Sequence, residues 1–240
     1  MRLEARGLRV VRGGRAILRD VDVVCDAGEV LGVLGPSGAG KSTLFRALVG
    51  DLAADAGTVR LDGEDISGWP LWRRARAGVG YTPQSPSVLW DLTVRDNLAA
   101  YQRIALGARG DVDAAAARVG LSERLDVRAG ELSAGERRRL EFARAITRPP
   151  RVLICDEPFA GVDPVGAGRL GELLRGLGQD GVAVLLADHH VVEALHVCTR
   201  ALLLLDGAVA ATGDPATFRE DPLVRGRYLG SWSRTVPPAG

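Results

Sequence analysis

The chain opens with two stretches of loose alternation, Leu3 to Val11 and Ile17 to Cys25, which predict an antiparallel pair of strands. The pattern then changes. Val30-Leu31-Gly32-Val33-Leu34 is apolar throughout, as in a strand covered on both faces. A glycine-rich loop follows, then a predicted helix from about Lys41 to Val49. Thr58 to Leu61 reads as a strand ending at the Asp62-Gly63 turn, and Val79 to Thr82 as another. From Pro83 to about Thr147 the period is helical, with Val94, Leu98, Tyr101 and Ala105 on one face. Short apolar strands return at Val152 to Cys155, Val182 to Ala187 and Ala201 to Leu205. The last meets the hairpin signal Asp206-Gly207 and resumes at Ala208 to Ala211.

Strands alternating with helices predict an α/β fold around a parallel sheet. The start adds an antiparallel β subdomain, and residues 83–147 an inserted α-helical subdomain. A single domain is expected over 1–234, with its core at about 1–82 and 148–230 and a frayed tail at 235–240. There is no internal repeat.

Composition changes this picture little. A formal net charge of +1 gives no electrostatic footprint for nucleic acid, so no nucleic-acid partner is expected. Cys25, Cys155 and Cys198 are far apart, without metal spacing, and fit a reducing compartment. Met1-Arg2-Leu3-Glu4 begins directly with strand-like alternation rather than a secretory signal. No apolar run approaches the ~20 residues of a membrane span, so any work at a membrane is done from the side. One feature stands apart: Lys41 is the only lysine, and every other basic residue of the Lys+Arg total of 31 is arginine.

Lys41 lies in Gly35-Pro36-Ser37-Gly38-Ala39-Gly40-Lys41-Ser42-Thr43, which fits G-x-x-x-x-G-K-[ST] between a buried strand and a helix. Glycines let backbone N–H groups turn inward around phosphate oxygens, and the helix N-terminus adds its positive end. An ammonium is a compact charge that fits inside such a loop, whereas a guanidinium is broad and forked. Ser42 would coordinate Mg²⁺. The motif resembles that of the P-loop NTPases, which implies an α/β fold with a RecA-like core.

Arg151-Val152-Leu153-Ile154-Cys155-Asp156-Glu157 is an apolar strand ending in two carboxylates. Alternation points neighbouring side chains apart, so the two take different roles. Asp156 would serve the Mg²⁺ shell and Glu157 the attacking water. Leu132-Ser133-Ala134-Gly135-Glu136 contains a capping box, Ser133 with Glu136, which by itself explains a helix start. It also makes a second helix N-terminus suited to an anion.

These segments, with Gln84, Gly161-Val162-Asp163 and Asp188-His189, occur in the order found in ATP-binding-cassette ATPases, and the chain resembles that family from Leu3 to Gly230. The resemblance implies a head-to-tail homodimer, in which Leu132 to Glu136 of one copy closes over ATP held by the P-loop of the other. It implies that Lys41, Ser42 and Thr43 bind phosphate and Mg²⁺, and that Gln84 senses Mg²⁺ and water. Ser133 and Gly135 would contact the γ-phosphate across the dimer, and Asp163 would couple the two sites. His189 resembles the switch histidine, although the adjacent His190 could be confused with it; His196, on a helical stretch, reads as ordinary.

Two positions depart from the family. Ala134 stands where a glycine is usual, and Arg12 stands where an aromatic residue stacks on adenine. A guanidinium can stack on a base, so weaker or less selective adenine binding is expected rather than loss.

A single P-loop, no long heptad insertion and no membrane span resemble a transporter subunit that works with separate permeases. That implies a peripheral position at the cytoplasmic face of the inner membrane, with Val88, Leu89 and Trp90 as candidate groove residues. "LSAGERRRLEFARAI", "DEPFAGVDP", "DHHVVEAL" and "RYLGSW" are most similar to the ATPases of lipopolysaccharide export. Branched-chain amino-acid importers, which share the terminal "YLG", or another ABC transporter are the alternative, with a soluble cassette role behind them; the importers more often carry glutamine after the signature and threonine where Phe159 stands.

Overall fold

The computed structural model describes residues 2–106 and 110–230. In chain order come β1 (Leu3–Arg12), β2 (Arg15–Cys25), β3 (Val30–Leu34), α1 (Lys41–Val49), β4 (Ala56–Leu61), β5 (Glu64–Asp65), α2 (Leu71–Arg76) and β6 (Val79–Thr82). The helical block carries α3 (Val94–Leu106), α4 (Val112–Arg118) and α5 (Ala134–Ala145). There follow β7 (Val152–Asp156), α6 (Pro164–Gln179), β8 (Ala183–Ala187), α7 (Val191–Val197), β9 (Arg200–Leu205), β10 (Ala208–Gly213), α8 (Pro215–Glu220) and α9 (Pro222–Val224), then a turn of π-helix at Arg225–Leu229. The expected tail at 235–240, and Ser231-Trp232 of the closing motif, lie outside the described residues.

β2-β1-β4-β5 form an antiparallel sheet, and β10-β9-β3-β8-β7-β6 a second sheet. In the second, β9, β3, β8, β7 and β6 run parallel, and only β10 pairs antiparallel. Its central strands are apolar at every position because each face meets a different core. Leu31 and Val33 of β3, Ile154 of β7 and Leu185 of β8 pack with Leu44, Phe45 and Leu48 of α1 and with the antiparallel sheet. Leu34, Leu153, Val184 and Leu186 point the other way, into a core with Leu170 and Leu174 of α6 and Val94, Leu98, Leu140 and Phe142 of the helical block. Strand alternation thus sorts one apolar run into two cores. Helix α1 lies between the two sheets, which fixes the loop that precedes it.

The far end of α1 is also fixed. Arg74 of α2 is buried and donates to the Ala47 and Leu48 carbonyls at 2.9 and 2.6 Å, and to those of Ser67 and Trp69. Burial lowers its pKa, and a helix C-terminus is a favourable place for a buried cation.

On α3, Val94 and Leu98 are buried, Tyr101 is half-buried, and the side chain of Ala105 lies outside the described residues. Asn97 is fully buried: it accepts from Leu89 N–H at 2.9 Å and donates to the carbonyls of Leu89 and Thr93. It pins the turn at 89–93. Within that turn Leu89 and Trp90 are 41% and 48% exposed, whereas Val88 is 4% exposed. The structure corrects the expectation for Val88, whose apolar side chain belongs to the core; Leu92, 39% exposed, stands outward instead.

Candidate active site

β3 delivers the chain to Gly35, where a side chain would not fit: an added Cβ would lie 2.2 Å from the Leu204 carbonyl oxygen. Gly38 and Gly40 have φ of 80° and 107°, which an L side chain rarely adopts. Pro36, Ser37 and Gly38 are exposed, and Ala39 is buried beneath them. Lys41, the first residue of α1, reaches back to donate to the Gly35 and Pro36 carbonyls at 2.7 and 3.0 Å. Burial pushes its pKa below the ordinary value, against the pull of Glu157, Asp156 and Asp188. Its charge is partly desolvated and faces acceptors that a phosphate can replace. Thr43 is half-buried on the same turn.

β7 brings Asp156 to α1. Its buried carboxylate lies beside the Ser42 hydroxyl; burial raises its pKa, against the pull of that hydroxyl and joined by the charge of Glu157. A buried carboxylate beside a hydroxyl offers the hard oxygen donors that suit Mg²⁺. Glu157 follows with φ of 52°, rare for a residue with a side chain. Its N–H donates to the Ala187 carbonyl at 2.7 Å, which ties the turn to the end of β8. There His189 Nδ1 lies 3.6 Å from Glu157 Oε2. His190 lines the same cleft but is held by Asp188: its Nδ1 is 2.7 Å from Asp188 Oδ1, and its N–H donates to the same oxygen. His196 is exposed on α7.

A cleft of about 610 Å³ opens over the loop, lined by Gly35, Ser37, Lys41, Glu157, His189 and Tyr228 among others. Gln84 is exposed and shares a smaller cavity of about 90 Å³ with Ala134, Arg138 and Glu157. Ser133 caps α5 through Glu136, with both halves of the capping box formed. Gly135 packs on the start of α6: a methyl group added there would lie 3.6 Å from Asp163 Oδ2. Asp163 caps α6 by accepting from Gly166 N–H, which lowers its pKa. Neither Ser133 nor Gly135 is among the residues lining the larger cleft. Arg12 is engaged away from it: its guanidinium donates to the Val11 and Ala53 carbonyls at 2.6 and 3.0 Å and to Asp55.

Several site residues carry no signal in the motifs. Arg138, 6% exposed, donates to the Pro83 carbonyl at 2.7 Å, to the Asp156 carbonyl at 2.6 Å and to Glu141 at 2.8 Å. Glu141 accepts from Ser87 N–H, and Arg144 donates to the Ser87 carbonyl and stacks 3.7 Å over Tyr101. This ladder joins α5 to the segment holding Gln84 and to the end of β7. Its trace in the sequence is the charged spacing 138, 141, 144, which puts three ions on one helix ridge beside Leu140 and Phe142. Tyr228 lines the larger cleft; it stands in the closing "RYLGSW", where nothing local assigns it to the site.

Residues 18–160 match the ABC transporter family. A probable ABC transporter ATP-binding protein of Azorhizobium caulinodans is 41% identical over 95% of this chain and 83% of its own length. The lipopolysaccharide export system ATP-binding proteins LptB of Acidithiobacillus ferridurans and Escherichia coli K12 are 41% and 40% identical over 95% of this chain and 96% and 97% of theirs. A solved ATP-binding cassette of an ABC transporter in its ADP conformation superposes with a TM-score of 0.85 at 27% identity, over 96% of this chain and 99% of that one. The P-loop cleft, the carboxylate pair behind it and these likenesses agree: the chain belongs to the ABC transporter family as one of its nucleotide-binding ATPase cassettes.

Proposed function

We propose that this cassette powers lipopolysaccharide-type export through separate permease subunits. The observation that carries the ATP-hydrolysing part of the reading is the 3.6 Å approach of His189 to Glu157 in the Lys41 cleft. That is the arrangement needed to hold a water and a γ-phosphate side by side. The choice of cargo is supported by relatives whose names state lipopolysaccharide export and whose length this chain nearly spans.

The loop from Gly35 to Thr43 binds the ATP phosphates. Lys41 exchanges its two carbonyl acceptors for phosphate oxygens and gains a charge-assisted bond. Ser42 and Asp156 would hold Mg²⁺, which when bound neutralises phosphate charge. Glu157 orients the attacking water and takes its proton, and His189 holds the γ-phosphate end. Gln84, sharing a cavity with Glu157, reports the state of that corner to the helical block. Ser133 and Gly135 stand outside the lining of this cleft, and a head-to-tail homodimer would bring those of a second copy to it. Asp163, packed beside Gly135, links the two sites. ATP then acts as the adhesive of a homodimer, and hydrolysis releases it.

Leu89, Trp90 and Leu92, held outward by Asn97, offer the permease an apolar seat next to the Gln84 segment. Attachment through the permease makes the protein peripheral, at the cytoplasmic face of the inner membrane. The test is affinity purification of a tagged Glu157→Gln variant from native membranes in mild detergent. Two permeases with large non-cytoplasmic domains are the expected partners. Compact importer permeases would move the cargo to amino acids, and only soluble partners would overturn the transport role.

A further inference from the structure

We propose that Asp188, His189 and His190 form a binding site for a borderline divalent metal such as Zn²⁺, and that its occupation holds the site shut against hydrolysis. The inhibition rests on the roles given above to Glu157 and His189; the metal site does not.

β8 ends at Ala187, and the chain then stops alternating. Asp188, His189 and His190 can each offer one ligand atom, and these three atoms lie within 4.8 Å of one another. Asp188 Oδ1 is 2.7 Å from His190 Nδ1 and 3.7 Å from His189 Nδ1. Glu157 Oε2, 3.6 Å from His189 Nδ1, is within reach as a fourth ligand. Zinc bonds to nitrogen and oxygen of ~2.0–2.2 Å set the edges of a tetrahedron at roughly 3.3–3.6 Å. The observed separations lie on both sides of that figure, so small ring rotations bring the atoms to it.

The carboxylate is already oriented. Asp188 is fully buried, and its two oxygens accept main-chain N–H groups of His190 at 2.8 Å and Phe159 at 2.9 Å. Such outer support is what metal-binding carboxylates require. The imidazoles are open, with side chains 57% and 40% exposed and ring centroids 4.0 Å apart. Two imidazoles with one or two carboxylates favour Zn²⁺, Co²⁺ or Ni²⁺ over Mg²⁺, which prefers oxygen alone. The Ser42–Asp156 pair thus suits Mg²⁺ and the Asp188–His190 group a softer ion. Drawing His189, and with it Glu157, onto such an ion removes both from the γ-phosphate corner.

The nucleotide-free protein is titrated with Co²⁺, followed by its visible absorption, and hydrolysis of Mg·ATP is measured with and without added Zn²⁺. The expected result is visible d–d bands saturating at one Co²⁺ per chain, and hydrolysis inhibited by Zn²⁺ and restored by a chelator. His190→Asn retains its contact with Asp188 through the main chain; because His190 lines the ATP cleft, its rate without Zn²⁺ is measured first and the Zn²⁺ effect is read relative to that rate. It should bind Co²⁺ about tenfold or more weakly, since even loss of a group that only supports a ligand costs that much, and resist Zn²⁺. Absence of the bands, or equal Co²⁺ affinity in His190→Asn, overturns the metal site whatever the ATPase shows. Normal Co²⁺ binding with hydrolysis indifferent to Zn²⁺ upholds the site and overturns the inhibitory role.

Discussion

The Arg138 guanidinium donates to the main-chain carbonyl of Asp156 at 2.6 Å, joining the helix that begins at Ser133 to the strand that ends at the site carboxylates. The same guanidinium holds Glu141, and both side chains are buried. Removing one member of a buried pair leaves a charge without its partner, at a cost of about 3–5 kcal/mol. Arg138→Met should lower urea stability by that order, and Arg138→Met with Glu141→Leu should lose less than Arg138→Met alone. A double variant no more stable than the single one would show that the bonds to Pro83 and Asp156, rather than the pairing, carry the effect.

Gly35 and Gly38 should respond differently to alanine. At Gly35 the new methyl meets a fixed carbonyl at 2.2 Å, so the loop itself must move. Misplacing one charged hydrogen bond, worth about 1.5–3 kcal/mol, should weaken ATP binding about tenfold or more by calorimetry. Gly38→Ala meets nothing within 4 Å and bears only the strain of φ 80°, about 1–2 kcal/mol, read in stability.

Asp156 should oppose folding of the nucleotide-free protein at neutral pH. Burial raises its folded pKa above the ordinary 3.8, so the folded state binds more protons than the unfolded state between those two values. Stability therefore falls as pH rises through that window, and the cost persists above it. Asp156→Asn should be more stable than the parent at pH 7 in thermal melts, with the gain shrinking as pH approaches 3.8. A gain independent of pH would remove the electrostatic explanation.

Arg12 offers a paired test of adenine stacking. Its guanidinium is held by the Ala53 carbonyl and by Asp55. If it stacks on the base, Arg12→Ala should weaken ATP binding by about 1 kcal/mol or more, and Asp55→Ala, which frees the guanidinium, should not. Unchanged affinity in Arg12→Ala sinks the stacking role.

Thiol reactivity checks the core. Burial pushes the Cys155 thiol up to about 12, and raises those of Cys25 and Cys198 as well. All three are buried and free. A disulfide reagent at pH 8 should leave the native protein unmodified and label three thiols after unfolding.

The sequence by itself determined the local pieces. An apolar run as short as Val30 to Leu34, closed by a glycine-rich loop, reads as a strand covered twice, and the loop and helix after it are dictated by glycine, lysine and period. The adjacent carboxylates Asp156 and Glu157 at a strand end, and the capping box at Ser133, were likewise set by neighbours in the chain. What decided the rest was proximity between residues far apart in sequence. Arg138, Glu141 and Arg144 look like a solvated ridge until the fold places Pro83, Ser87 and Asp156 against them and supplies acceptors that make burial affordable. Val88 and Leu89 are equally apolar neighbours, and only the anchor at Asn97 settles which one faces the core. His189 and His190 are chemically identical, and only the fold distinguishes them: both lie near Asp188, but His190 is hydrogen-bonded to it while His189 also approaches Glu157, because the end of β8 is placed by sheet pairing and not by the histidines.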